Sequence, residues 1–185
     1  MKIERLRVEH LNEAVRVLAL AYSNELSHIF GDLEIGRSIL LEYFSQNPSG
    51  FVAVEDRVIG FANISFRKKS LSFFKFMCKN LGFSRGIRAS LLLKFLCPDP
   101  KKGEATIDFI AVSPLKLRKG VASALMSAMF EEAMNKKVKR IKCLVPLNSL
   151  DIFENFGFKA EKLIESKFAL KHVGRKGWCL MVKEL

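Results

Sequence analysis

The spacing of apolar residues along the chain changes between a helical period and a strand period. Apolar positions three or four residues apart predict helices over residues 11–29, from residue 33 to the turn sequence QNPSG, over 120–135, and in a short segment ending at Gly157. Runs rich in β-branched and aromatic residues predict strands. They cover residues 2–10, both sides of the turn at 55–57, residues 104–112, residues 138–146 and the C-terminal 176–185.

The order of these elements indicates an α/β fold. Strands that alternate with helices imply a mixed β-sheet of about six or seven strands flanked by helices. With 185 residues, the chain can bury one substantial core. We therefore expect a single domain over residues 1–185, interrupted by a basic helical insertion at 67–103.

Charge is concentrated in this insertion. The formal net charge of the protein is +12, and residues 67–102 contain ten Lys or Arg side chains against one acidic side chain, Asp99. Such a surplus predicts an acidic partner, which is a nucleic acid, an anionic lipid or a phosphate-rich small molecule.

The sequence lacks cysteine motifs and long apolar segments, which argues against a disulfide-rich, metal-binding or membrane-spanning protein. The four cysteines lie far apart without a CxxC or Cys/His pairing, so we expect reduced thiols, no disulfide framework and no metal site. No apolar run approaches the length of a membrane-spanning helix, and the N-terminus lacks the apolar core of a signal peptide. We therefore expect a cytoplasmic protein.

The stretch LRKGVASALM, residues 117–126, joins a strand that ends in Ser-Pro to a predicted helix. Glycine lets the backbone approach a ligand closely, and the free N–H groups at a helix start attract anions. Arg118 and Lys119 add positive charge beside Gly120. The pattern predicts a phosphate-binding site, although it matches neither the dinucleotide fingerprint nor the Walker sequence.

The longer stretch AVSPLKLRKGVASALM resembles the acyl-coenzyme A signature of the GNAT superfamily of N-acetyltransferases, a Val-x-Pro turn followed by [QR]-x-x-G-x-[GA]. The last part of this motif falls on residues 117–122 here. Farther along, NSLDIFENFGF resembles the second signature of the family, an Asn followed by a helix that ends in aromatic-x-x-x-Gly-Phe. One helix and one strand separate the two motifs, as in the family.

The resemblance implies acetyl-CoA as co-substrate, no metal, and strands at 104–112 and 138–146 that splay apart. The pantetheine arm would lie in this opening and pair with one strand, as an added strand does. The pyrophosphate would bind at the start of the next helix. Under this resemblance the coenzyme-binding residues are Ile110, Ala111, Val112, Leu117, Arg118, Lys119, Gly120, Val121, Ala122, Ser123, Asn148 and Phe153.

Acetyl transfer to a primary amine needs a group that takes a proton from the amine. Strand alternation places Asp108 and Glu104 on the polar face of residues 104–112 and Phe109 on the opposite, apolar face together with Ile107. Asp108, nearer the reacting end, is the first candidate base and Glu104 is the second. Solvated charges without a catalytic role are the alternative. The Val112 N–H is the candidate donor to a developing oxyanion.

Two positions depart from the family pattern. Leu117 stands where many members have Gln or Arg, so one side-chain contact to phosphate is missing there, and Arg118 could compensate for it. Phe153 stands where many members have a Tyr that protonates the departing thiolate, and phenylalanine has no proton to donate. The departure at Phe153 keeps a non-catalytic acyl-CoA-binding relative as the alternative to an enzyme.

The insertion contains two predicted helices, over residues 68–81 and 84–96, and the first has a basic stripe beside a broad phenylalanine-rich face. Three interpretations stand: the helices shape the pocket for the acceptor amine, attach to an anionic membrane surface through residues 67–96, or form a homodimer contact. Nucleic acid is the least favoured partner, because no recognised binding motif accompanies the charge. The acceptor stays open between a small-molecule amine and a peptide amine.

Overall fold

The computed structural model of the chain describes residues 1–117, 119–165, 167–175 and 177–185, with the backbone alone at 168 and 169. Its strands are β1 (Lys2–Arg5), β2 (Phe51–Val54), β3 (Val58–Ser65), β4 (Glu104–Val112), β5 (Arg140–Pro146), β6 (Lys159–Glu165) and β7 (Gly177–Glu184). Its helices are α1 (Leu11–Ala21), α2 (Ser23–Phe30), α3 (Leu33–Gln46), α4 (Leu71–Leu81), α5 (Phe83–Leu96), α6 (Val121–Asn135), α7 (Leu150–Glu154) and α8 (Lys167–Val173).

The strands form one mixed sheet of seven strands in the order β1-β2-β3-β4-β5-β7-β6. Neighbouring strands are antiparallel except β4 and β5, which are parallel and are connected through α6. This parallel pairing covers only residues 104–106 of β4, opposite residues 140–142 of β5. Beyond these residues the two strands separate, which confirms the predicted fold class and the predicted splay.

Helices cover both faces of the sheet, and alternate strand residues enter two separate cores. On one face, α6 packs the buried side chains of Leu125 and Met129 against strand residues such as Ala105. On the other face, helices α1 to α5 surround a core that contains Phe44 and Phe61, whose ring centroids lie 5.3 Å apart. The gap between β4 and β5 therefore lies between two helical layers.

Within the part of β4 that pairs with β3, residues 106–112, one residue has no partner. The register passes from Asn63 opposite Phe109 to Ile64 opposite Ile107, so Asp108 is the extra residue of a β-bulge. Beyond the bulge the alternation is reversed, and Ile107 lies in the α6 core while Phe109 packs in the opposite core. The prediction that Phe109 shares a face with Ile107 was wrong, because regular alternation does not hold across a bulge.

The N-terminal helix predicted over residues 11–29 is two helices. α1 ends at Ala21, and Tyr22 leaves the helical region with φ −117° and ψ 28° before α2 begins. The predicted first strand is also shorter, because β1 ends at Arg5 and a 3-10 helix follows at Val8–His10. Apolar spacing continues across the break at Tyr22, so the sequence pattern carries no sign of it.

The insertion forms the helical hairpin α4–α5 between β3 and β4, close to the predicted limits. Gly86 permits the close approach of the two helices, since a Cβ there would lie 2.5 Å from the Cα of Cys78. Phe73 and Met77 are 7% and 1% exposed and belong to the core beside α3. The protein itself therefore covers the centre of the phenylalanine-rich face. Within the described ranges, no helix is both long enough and apolar enough to cross a membrane.

Candidate active site

The gap between β4 and β5 opens into a cleft of about 390 Å³. Residues 108–112 of β4 and 144–146 of β5 form its walls. Leu117 and Ala122 line the cleft at the start of α6, whereas Glu25 and Trp178 line it beside α2 and β7. The cleft therefore extends through the sheet, from the helical layer on one face to the helical layer on the other.

The end of the cleft beside α6 has the features of an anion-binding site. Gly120 is the N-cap residue of α6 and has φ 76°, a left-handed conformation that glycine adopts without strain. No described side chain caps this helix, and its first turn contains no acidic residue. The N–H groups of residues 121–123 have no partner within the helix, and a Cβ at Gly120 would meet no atom within 4 Å. This open, uncapped helix start fits a phosphate group.

The residues predicted to bind the phosphates, over 117–123, lie in different places around this helix start. Leu117 and Ala122 line the cleft, and Val121 is buried beneath the first turn. Lys119 and Ser123 are exposed beside it. The structure therefore brings the backbone of residues 119–123 together at the helix start, with the exposed side chain of Lys119 next to it.

The opposite wall of the cleft carries Phe153, whose ring packs edge-on against Phe158 with 5.6 Å between the centroids. Asn148 is exposed in the turn after β5, where its side-chain oxygen accepts a hydrogen bond from Ser149. Arg118, the remaining predicted phosphate ligand, lies outside the described residues. Phe153 therefore lies on the wall of the cleft, while Asn148 lies in the exposed turn next to it.

Sequence reasoning missed Tyr22. Its hydroxyl donates a hydrogen bond to the carbonyl oxygen of Ile110 at 3.1 Å and accepts one from the Ile110 N–H at 3.4 Å. Both backbone groups of Ile110 thus face the gap. By alternation the groups of Val112 do so too, whereas those of Ala111 face β3. Burial raises the pKa of Tyr22 to about 12, so this hydroxyl stays protonated at neutral pH.

Asp108 lies where the cleft meets a second cavity, and its side chain is 7% exposed. Ser65 donates a hydrogen bond to one carboxylate oxygen, and the Lys69 ammonium of the insertion lies 3.3 Å from the other. Burial raises the pKa of Asp108, while the charge of Lys69 acts in the opposite direction. The structure therefore brings the first candidate base to the cleft, held between β3 and the insertion.

Glu104 lies at the closed end of the splay, where β4 and β5 still pair. Its carboxylate accepts a hydrogen bond from the Lys142 ammonium at 2.8 Å, and both side chains are 11% exposed. Burial acts to raise the pKa of Glu104, but Lys142, the Lys101 N–H and Arg140 together lower it. The second candidate base is thus held in an ion pair away from the residues that line the cleft.

The second cavity has a volume of about 520 Å³ and lies between α3, α4 and β3. Its walls combine aromatic rings, such as that of Tyr43, with the cationic side chains of Arg67 and Lys68. Asp108 and Phe109 line both cavities. The insertion helices thus wall a compartment that adjoins the cleft at the candidate base.

A family model described as the acetyltransferase (GNAT) family matches residues 16–158. The chain belongs to this family. The match begins within α1 and ends after α7, so it includes the splayed strands and the start of α6. Among curated proteins, no sequence matches this GNAT chain.

Solved structures show the same fold. The ribosomal-protein-alanine N-acetyltransferase from Brucella melitensis is 18% identical with a TM-score of 0.65, and the match covers all of both chains. A phosphinothricin acetyltransferase from Sinorhizobium meliloti, solved in complex with AcCoA, is 15% identical with a TM-score of 0.67 over 100% of this chain and 88% of that chain. An IAA acetyltransferase from Bacillus cereus is 18% identical with a TM-score of 0.60 over 100% and 99%. Each of the three names specifies a different acceptor, although the three proteins share one fold.

Proposed function

We propose that this GNAT protein transfers an acetyl group from acetyl-CoA to a primary amine while both are bound. The observation that carries the proposal is the cleft through the sheet, which joins the uncapped start of α6 to buried polar side chains beside α2. Coenzyme and amine can therefore approach each other from opposite faces. When bound, the coenzyme supplies the acetyl group as an activated thioester.

The chain would hold the coenzyme through backbone groups on two elements. N–H groups from residues 119–123 and the Lys119 side chain would bind the phosphates at the start of α6. Ile110 and Val112 offer the gap-facing backbone of β4 to the pantetheine arm, and Phe153 packs along the other side. Pairing of Ile110 with a pantetheine amide requires the Tyr22 hydroxyl to move.

Asp108 is the proposed general base, which takes a proton from the amine directly or through water. Its place on the cleft supports this role, as does a raised pKa, which makes a carboxylate a stronger base. The Val112 N–H is the proposed donor to the acyl oxygen. We assign Glu104 to its ion pair with Lys142 rather than to proton transfer.

A non-catalytic acyl-CoA-binding protein is the second candidate, because Phe153 provides no hydroxyl to the leaving thiolate. Against it, the Tyr22 hydroxyl lines the same cleft and can donate a hydrogen bond to sulfur. Release of coenzyme A thiol in the presence of a panel of primary amines separates the two candidates. Acetyl-CoA binding without thiol release by any amine would favour the second.

We also propose a cytoplasmic protein of one domain over residues 1–185, with a small-molecule or peptide amine as acceptor. Burial of Phe73 and Met77 supports an insertion that shapes the acceptor side of the cleft, rather than one that binds a membrane or forms a homodimer. Sedimentation with anionic liposomes and the mass of the protein in solution test these two alternatives.

Isothermal titration with acetyl-CoA tests the coenzyme site. Gly120→Trp places a large side chain in the open space at the start of α6, and we expect it to abolish the binding that the unaltered protein shows. Gly103→Trp is a matched control, since Gly103 also has a positive φ, of 80°, and open space around a Cβ, but precedes β4 at its closed end. No binding by the unaltered protein, or equal loss in both variants, would contradict the proposed site.

A further inference from the structure

Two buried polar atoms beside α2 have no hydrogen-bond partner among the described residues. They are Oε2 of Glu25 and Nε1 of Trp178. Each residue is 2% exposed, and each lines the cleft. A buried polar atom without a partner destabilises the fold, so these two atoms require groups that the described part of the protein does not supply.

The elements around Glu25 and Trp178 hold both side chains in place. The Arg175 guanidinium, 33% exposed, forms an ion pair with the other oxygen of Glu25 and so ties α2 to the segment before β7. Trp178 lies on β7 between two neighbours, opposite Pro146 of β5 and Ile164 of β6. Groups held on packed elements in this way are preorganised for a ligand.

The chemistry of the two atoms defines what they can bind. A carboxylate oxygen only accepts hydrogen bonds, and its strongest partner is a cationic N–H. An indole N–H only donates, so it needs an oxygen or another acceptor atom. Arg175, the partner of Glu25, precedes Trp178 by three residues. Trp178 also belongs to the same core as Leu26, the neighbour of Glu25 on α2. A single ligand that satisfies both atoms would therefore carry an ammonium group and an acceptor atom.

We infer that Glu25 and Trp178 form the acceptor site, in which Glu25 accepts a hydrogen bond from the ammonium of the incoming amine and Trp178 donates one to an oxygen beside it. This inference rests on the proposed acetyl transfer. The acceptor class is an α-amino carbonyl compound: an amino acid, an amino acid amide or a peptide N-terminus. An ammonium has three N–H donors, so contact with Glu25 leaves others for Asp108, which lines the same cleft.

Three small probes separate the two contacts. Glycinamide carries both the ammonium and the carbonyl, ethylamine carries the ammonium alone, and N-acetylglycinamide has no ammonium. We would measure thiol release from acetyl-CoA with each probe, for the unaltered protein and for Glu25→Gln and Trp178→Phe. Glu132→Gln is the control, since it also removes a carboxylate that pairs with an arginine, but on α6. Acetyl-CoA titration and thermal melts show whether each variant is folded.

We expect the unaltered protein to use glycinamide with a KM about tenfold or more below that for ethylamine, and not to use N-acetylglycinamide. Glu25→Gln should raise KM about tenfold for both amines, whereas Trp178→Phe should raise it for glycinamide alone. Neither should change acetyl-CoA affinity more than about twofold. A purely structural role for either residue would alter both amines and acetyl-CoA together.

Three results would overturn the inference. They are equal KM values for glycinamide and ethylamine, an unchanged KM in Glu25→Gln, and transfer to another primary amine but to neither glycinamide nor ethylamine. Failure of acetyl-CoA to bind the unaltered protein, or binding without transfer to any amine, is a different result, because it contradicts the proposed function itself.

Discussion

The hydroxyl of Tyr22 forms hydrogen bonds with the carbonyl oxygen and the N–H of Ile110, at 3.1 Å and 3.4 Å. These bonds lie where β4 no longer pairs with β5. A strand without a neighbour exposes N–H and C=O groups that need partners. Here a side chain from the junction of α1 and α2 supplies one. An extended ligand added to β4 would use the same groups. In the proposed mechanism, Tyr22 and the pantetheine arm therefore compete for the N–H and C=O groups of Ile110.

Tyr22→Phe tests this competition. The variant leaves Ile110 unpaired, so we expect the free energy of unfolding to fall by about 1–3 kcal/mol in denaturant melts. The dissociation constant for acetyl-CoA should also fall, because no hydrogen bond has to break on binding. Tyr43→Phe is the matched control, since Tyr43 lines the second cavity. Weaker acetyl-CoA binding in Tyr22→Phe alone would show that the hydroxyl assists the coenzyme instead.

Asp108→Asn tests the proposed base. Burial raises the pKa of Asp108, and only its deprotonated form can accept a proton. The pH profile of kcat/KM should therefore have a rising limb at pH values above 3.8, the ordinary pKa of an Asp side chain. The variant should lose this limb and about a hundredfold or more in kcat. Its acetyl-CoA affinity should be unchanged. A limb that persists below pH 7 in Asp108→Asn would assign the titration to another group.

Glu104→Gln separates the second carboxylate from catalysis. The folded state lowers the pKa of Glu104, so its charge stabilises the fold above the ordinary value of 4.5, and this stabilisation is lost as pH falls through the lowered pKa. At pH 7 the variant should lose about 1–2 kcal/mol of unfolding free energy, since Lys142 loses its partner. At about pH 3 that difference should shrink. Urea unfolding at both values checks this, and a large loss of kcat would restore Glu104 as a candidate base.

Two adjacent leucines of α5 test whether the insertion is part of the core. Leu92 is 2% exposed and Leu91 is 57% exposed. Leu92→Ala should lower the unfolding free energy by about 2–5 kcal/mol, because it removes buried apolar contacts and leaves a cavity. Leu91→Ala should change it by about 0.5 kcal/mol or less. Equal, small effects would mean that the insertion helices do not pack stably on the sheet.

The sequence by itself determined the order of elements, apart from the break at Tyr22 and helix α8, and the glycine at the start of α6. The splay between β4 and β5 was implied by the resemblance to the GNAT family. The element order and this glycine are local features: helical spacing, strand composition and the turn chemistry of Gly120 each act over a few neighbouring residues. The resemblance to the GNAT family rests on the same local motifs, and the family match confirms it. The insertion helices were predictable for the same reason.

Only the tertiary structure decided which side chains meet at the cleft. Tyr22 bonds to Ile110, 88 positions away, and Arg175 pairs with Glu25, 150 positions away, and no local pattern encodes either contact. The β-bulge at Asp108 arises from pairing with β3, so it reversed an alternation that the isolated strand predicts. The physical reason is common to all three: each depends on how elements far apart in the sequence pack against one another, and that packing also supplies the partners of buried polar groups.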